Sequence, residues 1–140
     1  MKRLLLILVV VLSVLTCSEN PEIFIPHLEG YWEIKQVKKE GKVVKEYNIS
    51  TTVDYFKVND DLTGFRKKVT PSLDGKFTVT DDESPFVLKI ENNKLYIYYT
   101  VNNITFKESI EHATEEELVI TNDEGFKYIY KPFESLNLEQ

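Results

Sequence analysis

From Gly30 onward the chain alternates short apolar and aromatic runs with two- or three-residue clusters of Asn, Asp, Glu and Gly. The runs predict strands at 31–38, 42–47, 51–58, 62–70, 76–80, 86–90, 95–101, 104–112, 118–121 and 126–130. The separators are turn formers: Glu40-Gly41, Asn59-Asp60-Asp61, Asp74-Gly75, Asp81-Asp82, Asn92-Asn93, Asn102-Asn103 and Asp123-Glu124-Gly125. Hairpins of this length leave no room for the crossover helix that a parallel sheet requires. The expected fold is all-β, an antiparallel up-and-down meander. About 8–10 such strands are expected to close into a barrel, because Greek-key sandwiches need long crossovers and closure leaves no bare strand edge.

Composition narrows the function classes. With 140 residues, 42% hydrophobic and 29% charged, the chain has the make-up of one folded domain. Its net charge is −6, and Arg3 and Arg66 are the only arginines. Nucleic-acid binding needs clustered cations that displace counterions from phosphates. The one basic triplet, Arg66-Lys67-Lys68, stands in an acidic chain, so no nucleic-acid partner is expected. A lone cysteine makes no internal disulfide, and the fold must hold by packing.

The N-terminus carries an address. Lys2 and Arg3 precede a run from Leu4 to Leu15 that is apolar except for Ser13. Those 12 residues would span about 18 Å as a helix, against a hydrocarbon core of about 30 Å. The layout is that of a secretory signal. It ends in Val14-Leu15-Thr16-Cys17, which resembles the lipobox of bacterial lipoproteins, with Thr16 where that family prefers Gly, Ala or Ser. The resemblance implies cleavage before Cys17, lipidation of that cysteine as the new N-terminus, and membrane attachment through the acyl chains. The following Ser18-Glu19-Asn20-Pro21-Glu22 resembles the acidic surface-export signal of some Bacteroidetes-type lipoproteins. The expected organisation is a signal peptide at 1–16, a lipidated N-terminus and tether at 17–27, a barrel at 28–134 and a C-terminal tail at 135–140. The expected location is the bacterial cell envelope, lipid-anchored to the outer membrane on its periplasmic or outer side. Losing Lys2 and Arg3 leaves 15 Lys+Arg against 23 Asp+Glu, a net charge of −8, so the anchor rather than the domain would attach to anionic lipid.

The barrel's first strand opens with Gly30-Tyr31-Trp32 in "HLEGYWEIKQV". This resembles the Gly-x-Trp start of lipocalins, and "YFKVNDDLTGFRK" (55–67) resembles a strand–turn–strand segment of the small lipocalin-like lipoproteins of Bacteroidetes. The resemblance runs from about 27 to 133. It implies that Trp32 lies across a closed barrel end, with Gly30 letting the backbone turn in, and that the barrel binds a small hydrophobic or amphipathic ligand. The chain departs from lipocalins in having only Lys127 and Lys131 where an arginine would cover the tryptophan, and in lacking a Thr-Asp-Tyr motif.

Catalytic chemistry is not signalled. The two histidines, His27 and His112, have no thiol partner once Cys17 is acylated, no Gly-x-Ser-x-Gly occurs, and no spacing suggests zinc. Acidic clusters fall at the turns and read as solvated hairpins. The expectation is no enzyme, no cofactor and no metal. With Trp32 inward and the more apolar face of each strand inside, Phe65, Phe77, Tyr99 and Tyr128 become barrel walls. The same parity puts Gln36, Lys67, Glu108 and His112 inside. Glu108 interrupts the apolar face of Ile104, Phe106 and Ile110. A lone buried carboxylate must be paired, neutralised or near water, and Lys67 is a candidate partner. Gln36, Lys67 and Glu108 are the expected polar ligand contacts. Two readings stay open: a ligand cavity with aromatic walls, or a filled barrel with a solvated Glu108 whose acidic surface or strand edge binds an envelope protein.

Overall fold

The computed structural model describes residues 1–3 and 19–134. The expected lipidation site, Cys17, and the 135–140 tail lie outside them. Nine strands follow a short 3-10 helix at Pro21–His27: β1 Gly30–Lys39, β2 Lys42–Glu46, β3 Val53–Val58, β4 Thr63–Pro71, β5 Phe77–Glu91, β6 Lys94–Val101, β7 Ile104–Ala113, β8 Leu118–Asn122 and β9 Phe126–Pro132. Each of these strands pairs antiparallel with the next along the sheet. β1 closes the ring by pairing with β9 from Trp32 to Lys39. Its other edge is shared: Gly30–Trp32 pair with β3, and Gln36–Lys39 pair with β2. The result is a closed eight-stranded antiparallel barrel with β2 as an added hairpin arm.

The hairpins form where the turn residues required them. Asn92 and Asn93 (φ 50° and 61°), Asn102 and Asn103 (51° and 63°), and Glu40 and Gly41 (52° and 75°) are consecutive left-handed residues. Such pairs match the strand twist in two-residue loops. One expected turn is absent. The runs at 76–80 and 86–90 are a single strand, β5, and Asp81-Asp82 do not reverse the chain. Between the Lys67↔Glu83 and Val69↔Val79 pairs the register shifts, so β5 spends four steps against two on β4. The two acidic residues are absorbed in a bulge.

One end of the barrel is filled. Trp32, Phe56, Phe86, Leu88, Leu95, Ile97, Ile110, Leu118 and Ile120 form a continuous buried cluster. Full burial of each such side chain is worth roughly 1.5–3 kcal/mol. The 3-10 helix closes this end from outside the ring, with Phe24 and Leu28 joining the cluster. Asn20 caps the helix by accepting from the Glu22 N–H at 3.1 Å, and Pro21 supplies a preset φ at its first position. The Trp32 indole N–H donates to the Leu28 carbonyl at 3.0 Å, which fixes the ring across the closed end. Gly30 enters the strand at φ 138°, a conformation that a side chain would resist.

Candidate functional site: a polar floor in the open half of the barrel

Halfway up the barrel the packing changes character. On β4 the inward residues are Gly64, Arg66 and Lys68, because Phe56↔Arg66 and Asp54↔Lys68 pair directly and Phe56 and Asp54 face the interior. Arg66 is the hub. Its Nη2 donates to Asp54 Oδ2 at 2.6 Å and to the Tyr130 hydroxyl at 2.8 Å. Its Nη1 reaches Glu108 Oε2 at 3.3 Å and the Tyr99 hydroxyl at 3.4 Å. The guanidinium also stands 5.1 Å from the centre of the Phe56 ring, so the filled core meets the cation from below.

The electrostatics follow from burial. Asp54 is 3% exposed. Desolvation pushes it toward the neutral acid, but the charge and hydrogen bond of Arg66, helped by Lys68 and Tyr130, outweigh this and hold its carboxyl below the ordinary value. Burial likewise drives the Tyr99 and Tyr130 hydroxyls upward, so both stay protonated. Asp54 Oδ1 makes no hydrogen bond among the described residues and has the Lys68 ammonium 3.5 Å away.

Above this floor lies a cavity of about 540 Å³, open toward the end of the barrel opposite Trp32. Arg66, Lys68 and Tyr99 form its base, and Thr52, Thr70 and Ser84 add hydroxyls. Asp82 and Phe106 complete the lining. Phe106 stacks on Tyr99 at 4.9 Å with the rings 19° apart. Phe106 and, beyond it on the same inward-facing side of β7, Ile104 give the opening an apolar side, 43% and 67% exposed.

Only part of the expected site assembles. Tyr99 lines the cavity, Glu108 pairs with Arg66 beneath it, and Tyr128 lies half-buried against the core, its hydroxyl accepting from Asn122. Gln36 does not point inward. The register shifts between Ile34 and Gln36, which reverses the alternation, so Val37 is buried and Gln36 donates to Glu46 at 2.8 Å. Lys67 is also outside, paired with Glu83 at 2.9 Å, and Glu108 takes Arg66 instead. Phe65 and Phe77 are not walls. They belong to an outer-face aromatic group in which Phe77 stacks on Tyr31 at 4.7 Å and meets Phe133 edge-on at 5.7 Å, while Tyr55 bridges Tyr31 and Phe65. His112 follows a second register shift, after Ile110, and lies edge-on to Phe24 at 5.9 Å. The residues missed from sequence were Arg66, Asp54 and Lys68. A signal existed: Arg66 is the only arginine of the barrel, two positions from Lys68 on one strand face.

The family model of the lipocalin-like domain matches residues 28–120, from the carbonyl that holds Trp32 through most of β8. Two solved structures are similar in fold: a lipocalin-like protein from Bacteroides uniformis and an uncharacterized protein from Bacteroides eggerthii. Each is 13% identical, at a TM-score of 0.47, over 76% of this chain and 99% of the other. No curated protein matches. The match of that model over most of the closed barrel decides the assignment: the chain belongs to the family of lipocalin-like domains.

Proposed function

We propose that the protein is a cell-envelope lipoprotein, anchored through Cys17, whose barrel holds a small amphipathic molecule head-down in its open half. The observation that carries this reading is the division of the interior. A polar floor at Arg66 lies beneath a cavity of about 540 Å³, and apolar Ile104 and Phe106 stand exposed at its rim. A cavity lined mainly by hydroxyl and charged side chains, with the Phe106 ring beside them, suits an oriented amphipathic ligand of a few hundred Å³. Water-exposed Ile104 and Phe106 gain by covering, at about 25 cal/mol per Å² of apolar surface removed from water. The role is non-catalytic: each polar group of the floor is used in binding and in holding its neighbours.

A second reading has its own support. β2 pairs on one edge only, and all five of its residues are exposed, with Val43 and Val44 among them. An envelope protein could add a strand there.

Native mass spectrometry of the full-length protein after incubation with an envelope lipid and metabolite extract tests the proposal. A defined added mass that disappears in Ser84→Leu, which fills the cavity, supports it. A bare protein mass throughout, or an adduct indifferent to Ser84→Leu, turns attention to β2.

A further inference from the structure

Resting on that reading, we infer that the head group taken by the cavity floor is uncharged and hydroxyl-rich, of sugar-like chemistry. The charge of Arg66 is already balanced by Asp54 at 2.6 Å and Glu108 at 3.3 Å. Lys68 lies 3.5 Å from the other Asp54 oxygen, and Asp82 adds a further carboxylate to the lining. Among the described residues, two cations therefore face three carboxylates around the floor. A phosphate or carboxylate head would be desolvated beside Asp82 and Glu108 without an unspent cation to meet it. A quaternary ammonium would bring no hydrogen-bond donor for Asp82.

A polyol avoids both faults. Each hydroxyl donates and accepts, and the floor presents the same duality through Thr52, Thr70, Ser84 and Tyr99. Phe106 supplies a flat apolar face beside them, held parallel to Tyr99, against which the C–H face of a sugar ring packs. The arrangement places hydroxyl partners on one side of the ring and an aromatic plate on the other.

The test compares three amphiphiles with one octyl tail and three heads: n-octyl β-D-glucoside, n-octyl phosphate and octyltrimethylammonium, each below its micellar concentration. Binding to the full-length protein is read from Ile and Thr methyl resonances. Ile104, Thr52 and Thr70 report the cavity, and Ile23 and Ile49, exposed elsewhere, report non-specific adsorption. The expected result is saturable glucoside binding at the cavity methyls, at least about tenfold tighter than either charged head, since burying an unpaired charge costs more than that. The preference should shrink in Thr70→Val and vanish with binding in Ser84→Leu. Equal or tighter binding of the phosphate or the ammonium overturns the head-group assignment while the amphipath-binding reading stands. No response of the cavity methyls to any of the three overturns both.

Discussion

Replacing Arg66 with methionine tests whether the hub holds the barrel interior together. Methionine keeps an unbranched, flexible apolar stem in the barrel but stops short of the guanidinium position, so it removes the cation together with its contact to Phe56. Asp54, 3% exposed, loses its 2.6 Å partner, and Glu108, with its side chain 13% exposed, loses its 3.3 Å partner. Breaking one buried pair from one side costs about 3–5 kcal/mol, because the remaining charge is stranded. A domain of this size has roughly 5–15 kcal/mol in total. Arg66→Met should therefore lose about 3–5 kcal/mol in urea denaturation at pH 7. The loss should narrow in acid. Without Arg66, desolvation dominates at Asp54 and raises its folded pKa, so the variant is penalised least where that carboxyl is protonated and most as pH rises through its folded value. The Asp54→Asn/Arg66→Met pair should recover part of the loss, with a coupling of about 2 kcal/mol in the double-mutant cycle. A loss below about 1 kcal/mol for Arg66→Met, or strict additivity of the pair, would refute the idea of a buried, mutually dependent cluster.

Three further outcomes are expected. Gly64→Ala should destabilise by about 1–3 kcal/mol or more, because its Cβ would collide with the Lys57 carbonyl and come 2.6 Å from Phe86 Cζ; thermal unfolding that is unchanged would contradict the close approach of β3, β4 and β5. The wild-type protein should lose stability as pH falls through and below the ordinary carboxylate range. The folded values of Asp54, Glu29, Asp61 and Glu111 are depressed by their partners, so the stability they add is present above the unfolded values and lost below; an acid limb that Asp54→Asn leaves untouched would assign the effect to the surface carboxylates alone. Phe77→Ala should remove the Tyr31 stack, worth about 0.5–1.5 kcal/mol beyond its buried area, yet leave ligand occupancy in the methyl titration unchanged, whereas lost binding would return Phe77 to the barrel wall.

The meander was legible because its turns are local. Asn92-Asn93 and Asn102-Asn103 favour left-handed backbone within two residues, and the hairpins they specify form as read. Asp81-Asp82 carries the same residue types but sits where β4 continues alongside, so cross-strand pairing of β5 overrode local turn preference. The site was less legible because inside and outside were assigned by apolar parity. On β4 that rule selects Phe65 and Val69 and discards Arg66, yet the outer face there is itself covered by aromatic side chains of β1, β3 and β5. Single-residue register shifts after Ile34 and Ile110 then reversed the parity at Gln36 and His112. No feature of a lone strand records a bulge imposed by its partner. Glu108 was recognisable because a carboxylate among Ile104, Phe106 and Ile110 demands a cation, and only its identity, Arg66 rather than Lys67, depended on the register.

The most direct measurement is a crystal structure of the full-length protein after exposure to the envelope extract. Ligand density above the Arg66 floor, between Thr70, Ser84 and Phe106, with its polar end down and its apolar part leaving past Ile104, is the predicted result. A barrel whose open half is filled by its own side chains, with Phe106 and Tyr128 folded onto Arg66, would contradict it.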